Sequence, residues 1–206
     1  MLDSVNANFI CGSVNIMKES DMFFAQKKPQ TEKHMHDMLV RNVSFCVLLS
    51  WFYALCSQII IPLPFSLVPV SIQPFPLLAC AWFFGLPAIY AYALYLAQGV
   101  LGAPFFAKGG CGLVHLLGPT GGYLVGFGMA MLFLHAVKKY MVPKSIAIKS
   151  LFLLATAGIY FSCGLAYLSC FVPVPVLFSA GLYPFLLGDS LKLCTLLLMM
   201  SASRFK

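Results

Sequence analysis

Charge is what this sequence has least of. Only 9% of its 206 residues are charged, while 61% are hydrophobic; an ordinary soluble domain is about a quarter charged. Thirteen Lys and Arg with six Asp and Glu cannot coat a soluble core of this length. The same figures exclude disorder, which needs low hydrophobicity and high charge. Acids are scarcer still. Residues 1–41 hold ten of the nineteen charges, and of the nine that follow only Asp189 is acidic. An aspartyl dyad is thereby excluded from the apolar part of the chain. Gly-Lys-Ser/Thr, HExxH and GxSxG are all missing, which excludes the familiar ATPase, zinc-protease and hydrolase routes. No enzyme, cofactor or metal site is expected. The eight cysteines form no CxxC pair, and most sit in apolar runs, where Cys acts as a small hydrophobe.

What remains is an integral membrane protein. The net charge of +7 reads as basic residues flanking spans on the cytoplasmic side. Nucleic acid is not an expected partner, since no soluble basic face exists to present it. Residues 1–38 are polar and mixed in charge, and read as a flexible tail ahead of a membrane domain at 39–206. Met22, Met35 and Met38 lie close before the first apolar run, so an over-extended start is an alternative account of that tail.

Between Arg41 and Lys108 lie 66 uncharged residues, room for three crossings at about 20 residues each. A first span is predicted over 42–61. Residues 61–76 carry Pro62, Pro64, Pro69, Pro74 and Pro76, too many for a helix, so an extended connection is expected. Residues 75–103 are interrupted at Gly85-Leu86-Pro87 and read as one long helix or a hairpin of two short ones. Further spans are predicted near 121–138, 150–171 and 183–203. Lys and Arg cluster at 27–41, at 138–149 and at 204–206. The positive-inside rule puts all three clusters on one side only if the hairpin holds. The prediction is therefore an all-α membrane protein with six transmembrane helices. Both termini are cytoplasmic, and long Pro- and Gly-rich loops (61–76, 102–122 and 171–184) lie outside.

Asp189 falls in the outer half of the last span, with Lys192 on the same helical face at i+3. An ionised residue within a span costs about 2.5–3.5 kcal/mol, so it usually faces a cavity or a partner. One reading is an Asp–Lys pair that satisfies only itself. The other is the polar floor of an outward-facing pocket. Lys108 offers a second cation from the Gly-rich loop, with Gln73 and His115 as neutral hydrogen-bonding groups. Phe65, Phe75, Phe105, Phe106, Tyr123 and Phe185 are candidate lining residues, or alternatively members of an interfacial aromatic belt. This inventory suits a small anion with an apolar body and N–H donors. Small residues recur at Ala93 and Ala97, and at Gly122, Gly126 and Ala130; such stripes let helices approach, within the chain or against another subunit.

Three segments resemble a known family. SQIIIPLPFSLVPVSIQPFPLL at 57–78, GVLGAPFFAKGGCGLVHLLGPTGGYLVGF at 99–127 and PFLLGDSLK at 184–192 are similar, in order, to motifs of the BioY family. These are biotin-specific S components of energy-coupling factor transporters. The resemblance covers about 39–203. It implies a multi-pass subunit of the bacterial cytoplasmic (inner) membrane, with a biotin pocket open to the outside. It also implies a T-component partner and two cytosolic ATPase subunits. Asp189 and Lys192 are implied as ligand contacts, and the 61–76 and 104–123 loops as lids. Ser71 stands where the family commonly has Thr, His115 where it is commonly aliphatic, and residues 1–38 have no counterpart. Biotin's ureido N–H groups would suit Asp189, and its carboxylate Lys108 or Lys192; which end points where stays open. The substrate-contact set is thus Gln73, Lys108, His115, Tyr123, Asp189 and Lys192. Alternatives are an S component for another small vitamin, a carrier working without ATPases, or an assembly protein with no ligand.

Overall fold

The computed structural model describes residues 35–61, 68–141, 143 and 145–202. Expectations that fall on residues 1–34, on Phe65 or on the basic residues Lys144, Arg204 and Lys206 lie outside these. The chain divides into one unit up to Ser44 and a second over Phe45–Lys206. The second unit holds the packed helices.

Helix α1 runs over Met35–Gln58. A two-residue antiparallel ladder comes next, β1 (Ile60–Ile61) with β2 (Val70–Ser71), pairing Ile60 with Ser71 and Ile61 with Val70. It closes the two ends of the Pro-rich connection. That connection is shorter than its prolines suggest, because Pro74 and Pro76 belong to helix α2 (Pro74–Phe84). Proline suits the first helical turn, where its missing N–H would have no partner anyway.

Helix α3 (Leu86–Val100) starts after a single residue, Gly85. Gly85 has φ +69°, and a side chain there would meet the His135 ring. This is a left-handed break that glycine supplies without steric cost. The chain reverses there: Gln73 before α2 bonds Tyr95 late in α3. The interruption read in the sequence is therefore a hairpin of two short helices. A loop with a 3₁₀ turn at Ala107–Gly109 and the short α4 (Gly112–Leu116) leads to α5 (Gly121–Tyr140). Helices α6 (Ile146–Leu168), α7 (Val174–Gly181) and α8 (Tyr183–Ala202) complete the unit. The loop expected at 171–184 is thus largely helical.

Helix α5 packs on α6, α2 and α3, and α8 packs on α2, α6 and α7. The α5 small-residue stripe explains the closest of these approaches. A Cβ at Gly126 would sit 2.8 Å from the Tyr160 Cα of α6, so this stripe packs helices within the chain. Ala93 and Ala97, by contrast, are exposed. Large apolar side chains face outward along the helices, among them Leu48, Leu55, Leu132, Leu154 and Leu191. Such faces suit hydrocarbon rather than water. Among the described residues, four helical stretches are long and apolar enough to cross a membrane: Met35–Gln58, Gly121–Tyr140, Ile146–Leu168 and Val174–Ala202.

Candidate functional site

Asp189, two turns into α8, is only 4% exposed. A carboxylate buried this deeply must be compensated. Lys192 donates to Asp189 Oδ1 at 2.6 Å, and Tyr160 of α6 donates its hydroxyl to Oδ2 at 2.7 Å. Lys192 also donates to the Ser71 carbonyl at 2.7 Å, tying α8 to the strand that ends the Pro-rich connection. An ionised carboxylate has about four acceptor sites. Lys192 and Tyr160 occupy two of them.

Above Asp189 lies a cavity walled by α2, α3, α5, α6, α8 and the 104–120 loop. It encloses about 50 Å³ of free room once the walls' own surfaces are allowed for. Its polar lining is Gln73, Tyr95, His115, Thr120, Tyr123, Tyr160 and Asp189, set among Phe106, Phe127, Phe161 and Phe185. A mostly apolar wall with a few convergent polar groups is the usual form of a small-molecule site.

Local structure fixes these side chains. Gln73, 5% exposed, immediately precedes α2; its side chain makes no capping bond and instead donates Nε2 to the Tyr95 hydroxyl oxygen at 3.0 Å. Tyr123 stacks on Phe185 and donates its hydroxyl to the Gly181 carbonyl at 2.7 Å. It therefore offers the cavity a ring face, and its polar tip is already used. His115 stacks on Phe106 with ring centroids 5.2 Å apart. Burial lowers its pKa below the ordinary imidazole value, so the ring is neutral at pH 7.

Of the six residues expected to meet a ligand, Gln73, His115, Tyr123 and Asp189 line the cavity. Lys192 stands one layer behind, in a smaller side pocket that Asp189 shares. Lys108 lines a separate outer vestibule. Among the aromatics, Phe106 and Phe185 line the cavity, Phe75 lines the side pocket, and Phe105 stacks on Tyr95.

Sequence reasoning passed over Tyr95, Thr120, Phe127 and Tyr160. A tyrosine in an apolar span carries a hydroxyl that must find a partner, and that signal was available for Tyr160. It also passed over Gln58, the last residue of α1. Gln58 Nε2 donates to the Phe106 carbonyl at 2.9 Å, with longer contacts to the Phe105 and Pro104 carbonyls. The Gly109 N–H donates back to Gln58 Oε1 at 2.9 Å. Ser57 donates to the Phe105 carbonyl beside it. The loop carrying Phe106 is thus stitched to the end of α1.

Residues 26–205 match the model of the BioY family. The chain belongs to the BioY family. A Thermotoga maritima relative, "Biotin transporter BioY", is 34% identical over 137 residues, covering 65% of this chain and 79% of the relative. A Pyrococcus horikoshii relative, "Probable biotin transporter BioY", is 29% identical over 136 residues, covering 62% and 80%. The crystal structure of the S-component for biotin from an ECF-type ABC transporter aligns with a TM-score of 0.69 at 20% identity. That alignment spans 82% of this chain and 93% of the other, so this BioY protein has that fold. Like the relatives' names, the fold and the apolar helices mark a multi-pass membrane protein of the transporter class.

Proposed function

We propose that this BioY protein is the membrane subunit that captures biotin for an energy-coupled importer, and that it is not itself an enzyme. One observation carries the site: a buried carboxylate, Asp189, held by Tyr160 and Lys192 at the bottom of an aromatic cavity. The two acceptor sites left on Asp189 suit the N–H groups of a cyclic urea. The aromatic walls suit a fused apolar ring. Gln73 and His115 add neutral hydrogen-bonding capacity, and Tyr123 adds a ring face. The Lys192 ammonium already serves Asp189 and Ser71, so the ligand's carboxylate is directed away from Lys192, toward the 104–120 loop.

In this reading the chain crosses the membrane six times, with α2 and α3 as the second and third crossings. Helices this short, 11 and 15 residues, rise about 16–22 Å and need their loops to complete the passage. The basic ends at Lys138 and Lys139 then face the cytoplasm with both termini, and the cavity faces outward. The location proposed is the bacterial inner membrane. The proposed partners are a T component and two cytosolic ATPases, because the sequence carries no nucleotide motif of its own.

The test is equilibrium binding by the purified full-length protein to biotin, thiamine and riboflavin. Binding of biotin alone supports the reading. Preference for another vitamin keeps the S-component role and removes the substrate. No binding by correctly folded protein favours a ligand-free assembly protein.

A further inference from the structure

Outside the inner cavity lies a much wider chamber. On the same measure it holds about 510 Å³, and it shares Pro69, Ala107, His115 and Thr120 with the cavity below. The two chambers meet at His115, whose ring stacks on Phe106, a residue of the inner wall alone. The inner cavity has room for a few waters. It is much the tighter of the two for a bicyclic ligand. The outer chamber has room for one as it stands.

Lys108 is the one charged residue among those described that line the outer chamber. It is exposed, and its backbone is left-handed at φ 61°, ψ 28°, a conformation that favours glycine. The loop is fixed on both sides of it. Gln58 receives the Gly109 N–H, and the Phe106 N–H donates to the Gly110 carbonyl at 3.0 Å. Residues 45–206 contain a single acid, Asp189, which is already paired with Lys192. No carboxylate of this unit neutralises Lys108. A lone cation over an apolar chamber concentrates anions at its mouth, because low-dielectric walls focus the field.

We propose that the outer chamber is a separate first binding station for the carboxylate end of an anionic ligand. Lys108 is its charge, and the Phe106–His115 stack is the partition to the inner cavity. The ligand is held there while the partition moves, then passes its ring system inward. This proposal rests on the biotin reading. It assigns Lys108 to capture rather than to the strength of the final complex.

The experiment measures association and dissociation rates of biotin with the full-length protein in detergent at low and high salt. Lys108→Gln is expected to slow association about threefold at low salt, and Lys108→Glu about tenfold, the scale of a single steering charge. Dissociation should stay unchanged in both. Lys108→Arg should associate like the parent. Lys108→Gly removes the left-handed constraint as well as the charge, and should match Lys108→Gln if charge alone matters. Biotin methyl ester, which is neutral, should bind the parent and Lys108→Gln at equal rates. Unchanged association in both Lys108→Gln and Lys108→Glu overturns the proposal. So does faster dissociation in the neutral variants, which would put Lys108 in the final complex. If the parent protein binds no biotin at equilibrium, the biotin reading fails first and this proposal with it.

Discussion

Tyr160 and Asp189 meet across two helices, the hydroxyl donating to Oδ2 at 2.7 Å. Both residues are almost fully buried, at 1% and 4% exposure. The bond turns one Asp–Lys pair on α8 into a three-residue cluster that reaches α6. It also fixes which lone pairs of the carboxylate stay open to the cavity. Hydrogen bonds to charged groups contribute about 1.5–3 kcal/mol. Tyr160→Phe should therefore weaken biotin binding by about tenfold or more, read by titration calorimetry. The fold should persist, because the ring keeps its contact with Phe127.

Asp189→Asn should do more. It removes the negative charge, replaces one of the two acceptor oxygens with an NH2 donor, and leaves Lys192 without its counter-charge, although the Ser71 carbonyl still receives that ammonium. Losing one partner of a buried pair costs about 3–5 kcal/mol, so a fall in affinity of a hundredfold or more is expected. Membrane insertion should be unchanged in a fractionation assay. An affinity equal to the parent's would remove Asp189 from the site.

Gln58→Ala should act through the loop. Four contacts join this side chain to residues 104–109, and Phe106 in that stretch lines the cavity. Freeing the loop should raise the dissociation rate of bound biotin several-fold, about 1 kcal/mol for a net hydrogen bond or two. Gln58→Glu keeps the acceptor for Gly109 but sets a carboxylate against three carbonyls. It should dissociate faster still. Dissociation rates equal to the parent's in both variants would show that the stitch does not hold the ligand in.

The helical membrane class and the break at Gly85 were legible in the sequence, because charge spacing and glycine–proline punctuation act locally. The polar stretch Asp189–Lys192 was legible for a similar reason: a lone acid in hydrocarbon demands compensation. What was not legible depended on helices distant in sequence. The Tyr160 hydroxyl signals a need for some partner, but that the partner is Asp189 shows only when α6 is laid against α8. Gln58 looks like the polar end of a span until residues 104–109 fold over it. Pro74 and Pro76 pointed to extended chain, because proline density alone cannot mark where a helix begins. Lys108 shared the sign expected of a ligand contact, but distance along the chain could not separate an outer chamber from an inner one.

Acidification should loosen the partition. Burial lowers the His115 pKa, so the unfolded chain takes up the proton first as pH falls. Above the ordinary imidazole value the residue has no effect on stability. Below it, stability declines, and the full loss is reached once pH passes the lowered value. His115→Leu should remove this part of the slope. The melting temperature of the parent should fall further than that of the variant between pH 7 and pH 5, measured in the same detergent. Equal falls would show that the His115 pKa is the same in the folded and unfolded chain.

A crystal structure of the full-length protein with biotin tests the central claim most directly. The expected result is ligand density in the inner cavity, with the ureido ring within hydrogen-bonding distance of Asp189 and the carboxylate toward the outer chamber. Density for biotin elsewhere, with Asp189, Tyr160 and Lys192 still bonded only to one another, would contradict it.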